Sequence, residues 1–191
     1  MNQSLSFWDQ EILQLTALAT SGLPTTSSLD RNSVPPLPVT TLPRLQPSGD
    51  LVESEPLRGG GLYGAGFGIG IDPEGQVCVG NFGFGASQVP LRGNGNSVSL
   101  FSKEGEALSL DRSRRSPRKP SGGYTEGELL GVQGVTSDQE GNIWIASFRD
   151  TAATPSKIGV YEDGQATRFD SFQHPELTSP FDIAIDASGD A

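Results

Sequence analysis

The sequence predicts an all-β fold for its larger part, mainly because a glycine-rich hairpin pattern recurs along it. The stretch "GIGIDPEGQVCVGN" at 68–81 is echoed by "GVTSDQEGNIWIAS" at 134–147, and "DIAIDASGDA" at 182–191 begins the pattern again. From about residue 62 onward, short apolar runs alternate with glycine-rich turns, which is typical of strands. A weaker hairpin pattern follows each of the first two copies.

Each repeat unit is therefore expected to contain two hairpins, or four strands. The weaker hairpins are "VSLFSKEGEAL" at 98–108 and "IGVYEDGQATRF" at 158–169. Four antiparallel strands form one blade of a β-propeller, in which blades surround a central channel. We therefore predict a partial β-propeller, with four-stranded blades at about 64–110 and 128–170 and the start of a third blade at 178–191.

An aspartate and a glycine mark the turn in every copy of the repeat. Aspartate bonds backbone N–H groups within a turn, and glycine accepts the left-handed conformation without steric cost. A calcium loop is the alternative, but the EF-hand spacing of oxygen ligands with its closing glutamate is absent. The structural-turn pairs are Asp72 with Gly75, Asp138 with Gly141 and Asp186 with Gly189.

The strand that follows the turn is apolar on both of its faces. Such a strand must be covered on both sides, as in a blade between two other blades. We expect Trp144 to be buried between sheets. Cys78 stands at the same repeat position, and a small apolar filler is the simpler interpretation than a reactive thiol. The predicted core residues are Trp144, Ile143, Ile145, Val77 and Val79.

Two segments precede the predicted propeller at 62–191. Residues 1–23 read as a short helix, with Trp8, Ile12 and Leu15 at helical spacing, packed on its own protein or on a partner. Residues 24–61 hold half of the 14 prolines and predict a largely disordered Pro/Ser/Thr-rich linker. "VPPLP" in this linker fits an extended spacer, or a polyproline II ligand.

Composition excludes some functions. The formal net charge of -10 and the pI of about 4.4 argue against a nucleic-acid surface, which needs lysine and arginine. No stretch approaches the length of a transmembrane helix, and no clear signal peptide is seen. The single cysteine allows no disulfide within the chain and says nothing about compartment.

Two further stretches have alternative interpretations. The basic insert at 111–123 contains "DRSRRSPRKP", which fits a solvated loop, a site for acidic partners or a nuclear-localisation patch. "GGGLYGAGFGIG" contains the Gly-x-Gly-x-x-Gly pattern of a dinucleotide site. However, a proline-rich linker precedes it rather than a strand, so a glycine-rich start of the first blade is the preferred interpretation.

The repeats resemble those of NHL-type and streptogramin-lyase-like (virginiamycin B lyase-like) β-propellers. The resemblance rests on "GVTSDQEGNIWIAS", "SKIGVYEDGQATRF" and "SPFDIAIDASGDA" and covers about residues 64–191. It implies a six-bladed-type ring in which the other blades belong to the same protein. This chain would then be an N-terminal fragment. The resemblance is compatible with an extracytoplasmic location, and it points to no single activity because fold does not imply function.

The enzymes among these relatives use residues that this sequence does not match. Streptogramin lyases use a His/Glu cluster with magnesium, whereas His174 is the only histidine here and falls in a segment between blades. SMP-30/gluconolactonase-like hydrolases share the hairpin, but their metal ligands cannot be placed by motif. We therefore assign no catalytic, cofactor-binding or metal-binding residue in this sequence. Magnesium belongs to the lyase-like alternative only, with catalytic residues beyond residue 191.

The preferred function is a non-enzymatic binding or scaffold module for an unknown protein or small-molecule ligand. Ligands of propellers usually bind at one rim of the central channel. By analogy with that fold, the strands that start at Gly68, Gly134 and Asp182 line the channel. The possible ligand-rim residues are Asn81, Gln133, Arg149 and Asp182.

Overall fold

The computed structural model describes residues 41–52, 56–82, 96–110, 122–149 and 155–191. These residues confirm the all-β prediction, and they contain no α-helix. Nor does any helix in them have the length and apolar character needed to cross a membrane. The strands are β1 (Thr41–Leu42), β2 (Leu57–Arg58), β3 (Ala65–Ile71), β4 (Val77–Asn81), β5 (Ser97–Phe101), β6 (Val132–Ser137), β7 (Ile143–Ser147), β8 (Lys157–Tyr161) and β9 (Phe169–Phe172), with a 3-10 turn at Glu162–Gly164.

The strands form three antiparallel sheets in which neighbours in sequence are neighbours in space. The leading hairpin (41–52 and 56–58) contains β1 and β2, the first sheet has the order β3-β4-β5, and the second sheet has the order β6-β7-β8-β9. We expected four strands in the first sheet. Instead, the residues described at its outer edge form the isolated bridges Phe101–Ala107 and Val98–Tyr124, and the basic insert separates these two pairings along the chain.

The first and second sheets share one register. In each, the inner strand pairs with the strand that follows the Asp–Gly turn, and a β-bulge interrupts this ladder near its start. The matching pairs are Ile69–Val79 and Val135–Ile145, Gly70–Cys78 and Thr136–Trp144, and Ile71–Val77 and Ser137–Ile143. The repeat seen in the sequence is therefore a repeat of strand pairing.

Two buried clusters lie on opposite faces of the first sheet, because successive strand residues point to opposite faces. Val77 and Val79 face the leading hairpin, and Cys78 faces the second sheet. The smaller cluster contains Leu42, Leu57, Leu62, Val77, Val79 and Phe101, with Ile69 packed against it. The larger cluster contains Cys78, Val98, Leu100, Leu129, Val132, Val135, Ile143, Ile145 and Tyr161, with Tyr124 and Phe169 packed against it.

Trp144 is only half-buried, in contrast to the burial between sheets that we expected. Its ring stacks on Phe172 of the same sheet with centroids 5.9 Å apart. Its indole Nε1 donates to Asp138 Oδ2 at 2.8 Å. The physical reason is its direction: Trp144 points away from the larger cluster, and no further sheet covers that face within the described ranges.

The linker prediction is wrong for residues 41–52 and 56–61. Leu42 and Leu57 are almost fully buried, and they pair with each other across β1 and β2. The guanidinium of Arg44 donates to the carbonyls of Lys103 and Glu104, at 2.8 and 3.2 Å. The high proline content of this stretch suggested disorder. Pro47 is compatible with the hairpin, however, because it lies in the turn, where its missing N–H breaks no bond between the strands. Residues 1–40, which include the predicted helix, lie outside the described residues.

The inner strands approach each other closely through glycine. A Cβ atom placed on Gly68 would lie 2.1 Å from Val135 N, and one on Gly134 would lie 2.7 Å from Asp182 Cα. The Ser137 hydroxyl donates to the Ile71 carbonyl at 2.6 Å. The third copy therefore lies beside β6 as β6 lies beside β3.

A hydrogen bond also ties the start of each later copy to the copy before it. Gly131 N donates to Asn96 Oδ1 at 2.7 Å, and Ser179 N donates to Ser156 Oγ at 3.2 Å. Asn96 and Ser156 each directly precede a third strand, β5 and β8. Gly131 and Ser179 both have positive φ, at 65° and 51°. The same contact thus joins successive copies.

Candidate ligand-binding surface

In the three Asp-x-x-Gly turns, the aspartate carboxylate accepts hydrogen bonds from the backbone of its own turn. Asp72, Asp138 and Asp186 each accept a bond to Oδ1 from the backbone N–H four residues on, at 2.7, 2.8 and 3.0 Å. Gly75, Gly141 and Gly189 have φ values of 81°, 84° and 86°, which favour glycine. Among the described residues, no group of three or more metal-ligating side chains occurs.

Asp138 has more donors than the other two aspartates. Its Oδ2 accepts from Asn142 Nδ2 and Trp144 Nε1, both at 2.8 Å. Burial alone would raise the pKa of Asp138, but the bonds from Trp144, Asn142 and Glu140 bring this pKa below its usual range. Burial is the main effect on Asp72, and its pKa is raised. Equivalent turns in the two copies therefore shift the pKa of their aspartate in opposite directions.

Cys78 and His174 show the features of structural residues. Cys78 is buried between the sheets, and burial raises the pKa of its thiol to about 12. It is therefore protonated, and not a thiolate nucleophile, at neutral pH. His174 is exposed, and its Nδ1 accepts from the Glu176 backbone N–H at 3.2 Å in a turn.

Two of the four rim residues predicted from sequence are buried. Asn81 is fully buried: its Oδ1 accepts from Tyr63 N at 2.8 Å, and its Nδ2 donates to the hydroxyls of Ser97 and Ser99. It therefore stabilises the start of the first sheet and does not reach the surface. Gln133 is 3% exposed, and its Oε1 has no hydrogen-bond partner among the described residues.

The other two rim residues lie nearer the solvent. Arg149 is half-buried, and its guanidinium carbon lies 4.7 Å from the centroid of the Phe82 ring, a cation–π contact. Asp182 is exposed, and its Oδ1 accepts from Ile183 N at 2.9 Å. Asp182 also lies against Gly134.

Three phenylalanines form an aromatic cluster that the sequence analysis missed. The ring of Phe181 lies 5.2 Å from that of Phe67 and 5.9 Å from that of Phe148, centroid to centroid. Phe67 is 65% exposed and Phe181 is 50% exposed. The cluster (Phe67, Phe148 and Phe181) therefore presents aromatic surface to solvent although its rings touch each other.

The repeat places the aromatic cluster. Phe67, Gln133 and Phe181 directly precede Gly68, Gly134 and Asp182, so they occupy one repeat position in three successive copies. The outer two members of this set touch each other. Aligning the three copies at the residue before Gly68, Gly134 and Asp182 would have shown that two of them have phenylalanine there. The sequence comparison used the turn aspartates and glycines instead.

No family model matches this chain, and a search of curated proteins likewise finds no significant match.

Proposed function

We propose that this chain is a non-enzymatic repeat module of the NHL-like β-propeller type, which binds a ligand through the aromatic cluster. The observation that carries the proposal is the contact of two largely exposed phenylalanines, Phe67 and Phe181, from different copies of the repeat. Exposed apolar patches on soluble proteins commonly mark interaction sites. A phenylalanine held by neighbouring rings also loses little conformational freedom on binding.

The propeller assignment is supported by the way in which the copies follow each other. The first and second sheets share a register, and they enclose one buried cluster. The inner strands meet through Gly68 and Gly134. Successive sheets that pack face to face with their inner strands together are the arrangement expected around a propeller axis.

The chemistry of the surface indicates an apolar or aromatic ligand with a polar group. The Phe67 and Phe181 rings offer faces and edges for stacking. Gln133 lies at the same repeat position, but its Oε1, which is unpaired in the described part of the chain, is buried and is not part of the exposed surface. Arg149 adds a positive charge within a strongly acidic chain. No bound metal or cofactor is needed for such binding.

A dye-binding titration tests this proposal. The probe is anilinonaphthalene sulfonate, which combines aromatic rings with an anion. We expect the double variant Phe67→Ser, Phe181→Ser to bind the dye about tenfold more weakly than the wild type, since each ring contact contributes modestly. Fluorescence enhancement measures the affinity.

Leu108→Ser is the matched control, because Leu108 is 48% exposed and lies outside the aromatic cluster. It should leave dye affinity unchanged. Equal affinity of the wild type and the double variant, or an equal loss in the control, would contradict the proposal.

A further inference from the structure

We infer that the leading hairpin is the outer half of a further repeat, and that the edge of β1 with which no described strand pairs binds a hairpin of the same repeat type. This inference rests on strand register rather than on the proposed ligand surface. The edge in question belongs to Thr41–Leu45, which is distinct from the aromatic cluster. The dye titration above and the test below can therefore fail independently.

The turn of the leading hairpin matches the outer turn of the first sheet. Gln46 N donates to Asp50 O and Gly49 N donates to Gln46 O, both at 2.8 Å. In the first sheet, Ser102 N donates to Glu106 O and Gly105 N donates to Ser102 O, at 2.8 and 2.9 Å. The glycines have φ values of 90° and 100°. Both are tight hairpin turns closed by a left-handed glycine.

The ladders on both sides of the two turns also match. Val52 N donates to Arg44 O at 2.9 Å, and Leu108 N donates to Leu100 O at 2.8 Å. The paired residues Leu42–Leu57, Val98–Tyr124 and Ile158–Phe172 hold equivalent places. The interval from Leu57 to Leu62 equals those from Tyr124 to Leu129 and from Phe172 to Leu177.

The buried clusters correspond residue by residue. Each described member of the smaller cluster has a counterpart in the larger one: Leu42 and Val98, Leu57 and Tyr124, Leu62 and Leu129, Ile69 and Val135, Val77 and Ile143, Val79 and Ile145, and Phe101 and Tyr161. Cys78, which β4 contributes to the larger cluster, has no counterpart in the smaller one. Leu100, Val132 and Phe169 also lack counterparts. Cys78, however, is the member that the second strand of a repeat contributes, and no described strand holds that place beside β1.

The backbone of β1 is oriented to receive that strand. Val98 exchanges both of its backbone bonds with Tyr124, so Ser97 and Ser99 direct theirs to β4. By the same register, the backbone N–H and C=O groups of Thr41 and Leu45 point away from β2. No described strand pairs with this edge of β1. Pro43 supplies only a carbonyl there, so the edge has a gap in its donors.

The interface already seen within the sheets defines the occupant. Opposite Val98 and Ile158 stand the small residues Gly80 and Ala146. The occupant is therefore a hairpin with the Asp-x-x-Gly turn and a return strand that is apolar on both faces and has a small residue at the place opposite Leu42. Such a hairpin comes from a polypeptide segment outside the described residues.

A site-specific disulfide tests this docking on the full chain. The probe is a synthetic peptide with the sequence of residues 134–147 and the substitution Ser147→Cys, its sulfur activated as a 2-pyridyl disulfide, so that attack by the protein thiolate forms the mixed disulfide and releases pyridine-2-thione. Ser147 pairs with Lys157, the counterpart of Thr41. The protein carries Thr41→Cys together with Cys78→Ser, so that only one thiol remains. Residues directly opposite each other in antiparallel strands lie within disulfide range.

We expect the mixed disulfide to form at least about tenfold faster with this peptide than with one carrying Ala146→Cys instead, because docking raises the local thiol concentration. A protein with Ser48→Cys in place of Thr41→Cys controls for accessibility, since Ser48 is an exposed turn residue of the same hairpin. Circular dichroism confirms that each variant folds. Equal rates for the two peptides, or for the two proteins, would overturn the inference.

Discussion

Replacing Gly68 by alanine is expected to lower the free energy of unfolding by about 3 kcal/mol, because overpacking against backbone cannot be relieved by a rotamer change. The added Cβ would lie 2.1 Å from Val135 N and 2.4 Å from Gln133 O. Both atoms belong to β6, so the two inner strands must separate. Urea unfolding followed by circular dichroism measures the loss.

Gly80→Ala is the matched control in the same sheet. Its Cβ would meet the Val132 and Val135 side chains at 3.0 Å and the Gln133 carbonyl at 3.3 Å. Side-chain methyl groups can shift by a few tenths of an ångström, so we expect a cost of about 1 kcal/mol. If both variants lost the same stability, close approach of the backbones at Gly68 would not be important to the fold.

Replacing Asp138 by alanine is expected to cost about 3 kcal/mol, since hydrogen bonds to charged groups contribute more than neutral ones. The change leaves the Trp144 indole, the Asn142 amide and two backbone N–H groups without their acceptor. Asp72→Ala removes the same turn residue where no side-chain donor bonds it among the described residues, and about 1 kcal/mol is expected. Similar losses at both positions would show that the Trp144 and Asn142 bonds add little.

The two aspartates also predict opposite responses to acid. The pKa of Asp138 in the fold lies below its ordinary value of 3.8, so its contribution to stability is complete above that value and is lost as the pH falls through the lower one. The raised pKa of Asp72 means that folding favours its protonated form, and this contribution is lost as the pH rises through the raised value.

Unfolding free energies measured in steps from pH 6 to pH 2 check these signs. Asp138→Asn should lose less stability on acidification than the wild type, whereas Asp72→Asn should lose more. The same slope in both variants would contradict the assigned directions.

Local chemistry in the sequence predicted the hairpins well. The Asp–Gly spacing places a turn wherever a carboxylate can bond backbone N–H groups before a left-handed glycine, and this needs no information from distant residues. The apolar runs at 77–79 and 143–145 likewise predicted the strands β4 and β7. These features depend on neighbours in the chain, which a single sequence shows directly.

Properties set by contacts between sheets could not be predicted in the same way. Trp144 has the hydrophobicity of a core residue, but the face on which it lies decides its exposure. Asn81 resembles a surface residue until Tyr63, Ser97 and Ser99 are seen to satisfy its amide. The aromatic cluster joins Phe67 to Phe181, which are distant in sequence.

The leading hairpin was missed for a different reason. Its proline content lowers the average tendency to form structure over 24–61, although "QPSGD" at 46–50 is itself a turn signal. Comparing this stretch with "SKEGE" at 102–106 would have revealed the match. Averages over long windows therefore conceal short repeats.

Successive copies of the repeat pack with their inner strands in contact. Nuclear Overhauser effects in the labelled full chain test this packing most directly. Cross-peaks between the Gly68 Hα protons and the Val135 amide, and between the Gly134 Hα protons and the Ile183 amide, are both predicted, because a Cβ on each glycine would lie 2.1 and 3.0 Å from those nitrogens. Absence of either cross-peak in the folded protein would contradict the account.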